Sequence, residues 1–329
     1  MAQYYSTFPI GFEPAVEEFI TRDMPGTQVL RTLDGAVEYK RRGVLQSFPP
    51  WLNNTFLCLT TFPRAPKEPM QDMVRLALTR GVDSETIMNH LPDGAATFRA
   101  MFMIDGQITH AGDKTMAKAE EFLAASSGLS PGRALPDVEF WFLYRKEGIG
   151  FLLMRLSYQK DMRQPLPGEL RRDIAALLCR LSNPKPDDVF LDPFARYGIA
   201  KARLLYPSAS VTAGDAANTA EVSMSLRGKP NAQVMRMDAV DMTAVQSGSV
   251  DAIACAPWWD EEKLDDPGMQ YGKFAAEARR VLKKNGRLVL LSAMKREAEV
   301  ALRLNFALDG KLEVLVAGKK AVVFTCRNT

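Results

Sequence analysis

Acidic residues recur where apolar runs end in the second half of this chain. Val189-Phe190-Leu191 runs into Asp192-Pro193-Phe194, Val211 to Gly214 into Asp215, and Val234 to Met237 into Asp238-Ala239. A fourth run, Ala252 to Cys255, ends instead in Ala256-Pro257-Trp258-Trp259, and Asp260, Glu261 and Glu262 follow it. Carboxylates suit a ligand whose edges are donors. One could hold an amine, a second the two hydroxyls of a ribose, and a third an adenine amino group. Three acids in series therefore point to a nucleoside-like ligand. Each taken alone has a plainer use as a helix N-cap.

The pattern around these residues predicts how they are positioned. ELRRDIAALLCRLSN has Ile174, Leu177, Leu178 and Leu181 on one helical face. Strand runs DDVFLDPF, SVTAGDA, AQVMRMDA and VDAIACAP alternate with helical stretches GIAKARLLYP and NTAEVSMSLRG. YGKFAAEARRVLKKNG reads as a long amphipathic helix ending at Gly286, followed by strand RLVLLSA, helix KREAEVALRLN and a hairpin turning at Gly318-Lys319. Strict β/α alternation predicts a parallel sheet, and the closing hairpin predicts that its last strands run antiparallel. Ligands of such sheets bind outside the carboxyl ends of the strands.

The first half has another texture. YYSTFP, NTFLCLTTF and TFRAMFMIDG are strand-like, GTQVLRTLDGAVEYKRR predicts a hairpin at Asp34-Gly35, and DVEFWFLYRKEGIGFLLMRLS a hairpin across Lys146-Glu147-Gly148. GFEPAVEEFITRDM, EPMQDMVRLALTRGV and DKTMAKAEEFLAASSG read as helices, the last two ending near Gly81 and Gly128. This is an α+β pattern with antiparallel strands. YQKDMRQPLPGEL, residues 158–170, holds two prolines, a glycine and several charges, and reads as a linker. The expected organisation is thus 1–157, linker 158–170, and 171–329.

Composition is that of an ordinary globular protein, 47% apolar and 25% charged over 329 residues. No run of 18 apolar residues is present, which argues against a membrane span. The start, MAQYYSTFPIGFEP, lacks the basic and apolar regions of a secretory signal. Cys58, Cys179, Cys255 and Cys326 form no CxxC pair, so buried thiols in a reducing cytoplasm are expected rather than zinc or disulfides. His90 and His110 are read as polar surface residues, and no metal is expected. Net charge is only +3, with 17 basic against 18 acidic residues in 1–160 and 25 against 21 in 161–329. Any nucleic-acid contact must come from a local patch. Lys40-Arg41-Arg42 is the better candidate. The run Arg279, Arg280, Lys283, Lys284, Arg287 suits a solvated helix end, where cations are favourable.

With those motifs quoted, the second half resembles a class I S-adenosylmethionine-dependent methyltransferase. The strings that carry the likeness are LRRDIAALLCRLSNPKPDDVFLDPF, VTAGDA, MDA, DAIACAPWW and ARRVLKKNGRLVLLSA. The whole chain resembles the THUMP-domain RNA methyltransferases, the group that includes tRNA guanine-N2 methyltransferases, through YYSTFPIGFEPAVEEF, LDGAVEYK, ATFRAMFMIDG and the final hairpin of the first half. The resemblance implies an α/β protein: a Rossmann-like methyltransferase domain, mostly parallel with an antiparallel terminal hairpin, behind an α+β THUMP-like domain. It implies S-adenosylmethionine as cofactor and a structured RNA with a tRNA-like acceptor end as partner. Asp192, Pro193, Phe194 and Gly198 would surround the methionine part, Asp215 would take the ribose hydroxyls, and Asp238 the adenine amino group with Ala239 beside the ring. Ala256 to Trp259 would face the target base, with Ala256 also against the cofactor and Pro257 and Trp259 as catalytic-site residues.

Two departures from the family pattern fall at that site. The family loop reads close to Asp-Pro-Phe-Cys-Gly-Ser-Gly, and here Arg196 stands where glycine is usual. The family has Asn (or Asp)-Pro-Pro-Tyr at the fourth strand, and Ala256 lacks that side-chain acceptor. Losing a positioned polar contact costs about 10²–10³ in rate. Trp259 keeps a stacking surface worth about 1–3 kcal/mol per base, and Asp260 is a candidate substitute acceptor. The Trp pair also suits a plain core role. Three readings follow: an RNA base methyltransferase with an altered site, a catalytically inactive RNA-binding or scaffold relative, and a methyltransferase for a small molecule or protein.

Overall fold

The computed structural model describes residues 1–45, 47–62, 68–132, 134–157, 169–217, 219–258 and 264–329. The chain divides into two compact units: Met1–Thr7, Val16–Phe48 and Asn54–Asp161, and Phe8–Ala15, Pro49–Asn53 and Met162–Thr329. Two short stretches of the first 157 residues thus group with the second unit. Of the expected linker, only Glu169 and Leu170 are among the described residues.

Among the described residues the first unit is built on nine strands: β1 (Ala2–Thr7), β2 (Thr27–Leu33), β3 (Ala36–Arg41), β4 (Asn54–Phe62), β5 (Thr97–Ile104), β6 (Gln107–Ile108), β7 (Ser130–Pro131), β8 (Val138–Tyr144) and β9 (Gly150–Arg155). Their order is β2-β3-β1-β4-β9-β8-β5-β6, with β7 beside β5. The helices are α1 (Glu13–Asp23), α2 (Pro69–Arg80), α3 (Ser84–Met88) and α4 (Asp113–Ser127). Both hairpins form at the expected turns, and Gly128 ends α4 in the left-handed conformation. The sheet is mixed, not purely antiparallel: β5 pairs β8 in parallel from Phe98↔Val138 to Ile104↔Tyr144. A parallel pair needs a long crossover, and the segment containing α4 supplies it. Phe98 meets Phe140 at 5.5 Å and Phe102 stacks on Phe142 at 5.0 Å, so aromatic pairs lock this register. Helix α3, which the hydrophobic pattern does not announce, has a local signature of another kind. Asp83 caps it, accepting from the amides of Glu85 and Thr86.

The second unit carries β10 (Val189–Asp192), β11 (Ser210–Asp215), β12 (Ala232–Arg236), β13 (Val250–Cys255), β14 (Leu282–Ser292), β15 (Ala307–Val316) and β16 (Lys319–Arg327), with α5 (Arg172–Leu181), α6 (Ile199–Arg203), α7 (Thr219–Ser225), α8 (Pro267–Val281) and α9 (Lys295–Asn305). The order is β12-β11-β10-β13-β14-β16-β15. The first five strands are parallel, and β16 runs antiparallel between β14 and β15, as expected. Strand order reverses between β10 and β13, which makes that gap the switch-point crevice of the sheet.

Two boundaries differ from expectation. Helix α8 stops at Val281 rather than Gly286, because Leu282 turns extended (φ −71°, ψ 136°), is buried, and pairs with Val250. The register then shifts before Ala252↔Arg287, and Asn285 takes a positive φ of 61°. Lys283-Lys284 favours helix locally, but burial of Leu282 in the sheet prevails. The terminal turn is centred on Ala317-Gly318, with φ 49° and 79°, one residue earlier than expected. Two successive positive φ values are what a two-residue hairpin of matching twist requires.

At the opposite end of this sheet, Arg203 is fully buried, donating to Asp188 Oδ2 (3.2 Å) and to the carbonyls of Lys185, Tyr206 and Pro207. Arg287 pairs with the other oxygen of Asp188. At the outer edge, the Leu315 amide donates to the Ile10 carbonyl (3.4 Å). Gly11, at φ 96°, lies so close that a Cβ there would stand 2.1 Å from the Glu313 carbonyl oxygen. Only glycine fits that approach.

Candidate functional site at the strand ends

Asp192 ends β10 with no exposed surface. Its Oδ1 accepts from the Phe194 amide (3.1 Å) and its Oδ2 from the Ala200 amide (2.9 Å). The carboxyl therefore ties both ends of the 193–198 loop and the first turn of α6. Burial pushes its pKa up to about 7, against those two hydrogen bonds, and the charge of Asp215 adds to the rise.

Between these ties, Pro193 is buried and Ala195–Tyr197 form a 3₁₀ turn. Arg196 occupies that turn without a positive φ, so the backbone here makes no demand for the glycine of the family pattern. Its side chain is exposed, with the guanidinium 5.5 Å from the Tyr197 ring centre. Gly198 does need to be glycine: its φ is 83°, and a Cβ would lie 2.9 Å from Glu169 Cγ. Leu170 donates its amide to the Tyr197 carbonyl (3.0 Å), so residues 169–170 back the loop.

Asp215, also buried, ends β11. Its Oδ1 accepts from the Ala217 amide (3.0 Å) and its Oδ2 from the Arg196 amide (3.3 Å). The expected ribose acid is thus already bonded to the loop that follows β10. Asp238, beyond β12, is exposed. Its Oδ1 accepts from the Val240 amide (3.1 Å), while Oδ2 has no hydrogen bond among the described residues. Ala239 is buried beside it. The register Asp192↔Ala213 and Asp215↔Arg236 places the three acids at neighbouring strand ends, as the sequence predicts. The plainer use as a helix N-cap is not the observed one: each acid accepts the amide two residues on in its own turn, and the caps of the 3₁₀ turn and of α6 are Phe194 and Gly198.

The fourth strand end is apolar. Ala256 and Pro257 are buried. Trp258 has a φ of 27°, a sparsely populated conformation for a bulky residue. Its ring meets Phe194 edge-to-face at 5.1 Å and Tyr271 at 5.2 Å, while Phe194 also meets Phe274 at 5.6 Å. Tyr271 in turn shares a 2.7 Å hydrogen bond with Ser292. The core role left open for the Trp pair is therefore the observed one for Trp258. Trp259 and Asp260, the expected stacking and acceptor residues, lie outside the described residues. Tyr271 is a site residue that no strand-end motif marks, although its i, i+3, i+4 spacing with Phe274 and Ala275 in α8 is a signal for a core-facing position.

All four cysteines are free and buried, and burial raises every thiol, Cys58 and Cys326 to about 12. His90 is only half-buried, with one ring nitrogen 2.8 Å from the Thr86 carbonyl oxygen. His110 approaches Asp113, three residues on, at 3.5 Å. Among the described residues no three His, Cys, Asp or Glu gather as a metal site would require. No helix of the described residues is long and apolar enough to cross a membrane.

No protein-family model and no curated protein matches the chain. Solved structures do match along its length. TrmN from Thermus thermophilus aligns over 100% of both chains at 22% identity, with a TM-score of 0.74. SMU.472, solved as a complex with SAH, aligns over 98% of this chain and 97% of its own at 13% identity, TM-score 0.64. A chain described as a predicted N6-adenine-specific DNA methylase, from Listeria monocytogenes str. 4b F2365, covers 98% and 95% at 13% identity, TM-score 0.61. At these identities the likeness is one of fold, and it extends over both units.

Proposed function

We propose that the protein is an S-adenosylmethionine-dependent methyltransferase that modifies a base in a structured, tRNA-like RNA. The observation that carries this reading is the row of acids Asp192, Asp215 and Asp238 on three neighbouring strand ends, beside the switch-point crevice of a chain that shares TrmN's fold from end to end. The residues present suit the cofactor: the unengaged Oδ2 of exposed Asp238 is an acceptor for an adenine amino group, with Ala239 beside it. On this reading Asp215 takes the ribose hydroxyls. Asp192 acts through the loop it ties, and that loop, through Pro193, Phe194 and Gly198, lines the methionine end.

The bound cofactor supplies an electrophilic methyl group on sulfur. The chain's own part is positioning, holding a base nitrogen in line with that methyl group. Ala256 offers no side-chain acceptor for the amine, so orientation falls to the Pro257 carbonyl and to Asp260, with Trp259 as stacking surface. On this reading residues 1–157 hold the RNA, 158–170 link, and 171–329 carry the chemistry. The buried thiols suit the reducing cytoplasm.

Calorimetric titration with S-adenosylmethionine and S-adenosylhomocysteine tests the cofactor. Binding with micromolar affinity is expected, and no heat up to millimolar ligand refutes the assignment. Transfer of labelled methyl to a pool of small RNAs tests the substrate. Full transfer by Asp260→Ala removes Asp260 from the mechanism.

A further inference from the structure

The cofactor assigned above ends in an amino acid, so its methionine part carries a carboxylate beside its ammonium and sulfonium. A bound carboxylate needs donors, and loops at strand ends commonly supply them as backbone amides. In this loop those amides are mostly spent within the protein. Pro193 has none. Phe194 and Ala200 donate to Asp192 (3.1 and 2.9 Å). Arg196 donates to Asp215 Oδ2 (3.3 Å), Tyr197 to the Phe194 carbonyl (3.3 Å) and Gly198 to the Ala195 carbonyl (3.0 Å). A backbone N–H has a single hydrogen, so each of these donors is committed. Ala195 and Ile199, whose amides make no hydrogen bond among the described residues, are both buried.

A strong donor on the same loop is uncommitted. The Arg196 guanidinium is exposed and makes no hydrogen bond or ion pair among the described residues. The acids around the loop are engaged elsewhere: Asp192 and Asp215 with backbone amides, and Glu169, which packs against Gly198, with Lys201 at 3.4 Å. The guanidinium rests 5.5 Å from the centre of the Tyr197 ring, a contact that favours one placement of a long side chain. Tyr197 belongs to the strand-end region. Burial above all raises the pKa of Tyr271, the ring against Trp258, and the Tyr197 hydroxyl is near enough to add to the rise. A planar fork of donors matches a carboxylate in shape and charge.

We propose that Arg196 binds the carboxylate of the cofactor's methionine part, taking with its side chain the role that a glycine-rich loop gives to its amides. This deepens the proposed function and rests on it. Arg196 is then a specificity residue, selecting ligands with a free carboxylate, and its presence where the family has glycine is a change in how the cofactor is held.

The test is calorimetric titration of wild type, Arg196→Ala and Arg196→Lys with S-adenosylmethionine, S-adenosylhomocysteine and decarboxylated S-adenosylmethionine, after thermal melts show each variant folded. Wild type should bind the decarboxylated ligand about tenfold or more weakly than S-adenosylmethionine. Arg196→Ala should lose about tenfold or more for both carboxylate-bearing ligands and nothing for the decarboxylated one. Arg196→Lys, which keeps the charge without the fork, should fall between. Equal losses on all three ligands would mean damage to the loop and would overturn the proposal. So would an unchanged affinity of Arg196→Ala for S-adenosylmethionine, and weaker binding of that variant to small RNAs would then make Arg196 a phosphate contact. Tighter binding of S-adenosylmethionine alone by Arg196→Ala would set the guanidinium against the sulfonium, again overturning it. If wild type binds neither S-adenosylmethionine nor S-adenosylhomocysteine at millimolar ligand, the cofactor assignment itself fails and the role of Arg196 falls with it.

Discussion

Replacing Asp192 by asparagine is expected to flatten the pH dependence of stability. The wild-type carboxyl moves from 3.8 to about 7 on folding, because burial disfavours its charge. At about 1.36 kcal/mol per unit, that shift represents roughly 4 kcal/mol. A folded pKa above the unfolded one means that the native state holds the proton more tightly. The stabilisation is therefore complete below about pH 4 and is lost as pH rises through about 7. Integrated between pH 5 and pH 8, the wild type loses about 2.5 kcal/mol from this residue alone. The amide of the Asp192→Asn variant has no proton to release, so its own contribution is flat. The variant has a fixed cost, since an amide cannot accept from both Phe194 and Ala200 as the carboxyl does, and an unmet buried amide costs about 1–3 kcal/mol. That cost shifts the whole curve and leaves the slope diagnostic. Denaturant unfolding at pH 5, 6, 7 and 8 for both proteins reads it directly. Parallel curves would refute the reasoning, and would mean that Asp192 keeps its charge in the fold.

Other outcomes follow from geometry. Gly11→Ala puts a Cβ 2.1 Å from the Glu313 carbonyl at a φ of 96° and should cost about 2–3 kcal/mol, read as a lowered denaturant midpoint. An unchanged midpoint would mean that residues 8–15 do not seat on β15. Arg203→Ala leaves Asp188 buried with Arg287 as its remaining cation, and should cost about 3 kcal/mol, the lower end for a broken buried pair. Unaltered stability would show the pair to be dispensable. Asp215→Ala should weaken S-adenosylmethionine binding at least tenfold in calorimetry. Equal affinity would remove Asp215 from the ribose contact.

The sheet of the second unit was legible because its signals are local. Each strand end is marked by residues adjacent in sequence, such as Leu191-Asp192, and each helix by its own periodicity. What was not legible depended on partners far away in the chain. Nothing near Leu282 says that Val250 will draw it out of a helix. Nothing near Phe98 says that Val138 will lie parallel to it. The site shows the same division. The acids could be read from the sequence, but the use of Asp215 by the Arg196 amide depends on how a loop folds over a neighbouring strand. Arg196 looks disruptive in the sequence because glycine is usual there in the family. The loop instead forms a 3₁₀ turn, which any L-residue accepts, so identity at that position constrains the backbone less than the motif suggests.

The covering of β15 by Phe8–Ala15 has a consequence for the order in which the protein is made. Ribosomes release Gly11 about three hundred residues before Glu313. Throughout that interval Phe8–Ala15 lacks the strand against which it settles. When β15 emerges, its open rim is an unpaired edge of the kind that recruits other chains. The waiting segment is then a cover already attached to the same molecule, present at high effective concentration from the moment the edge appears.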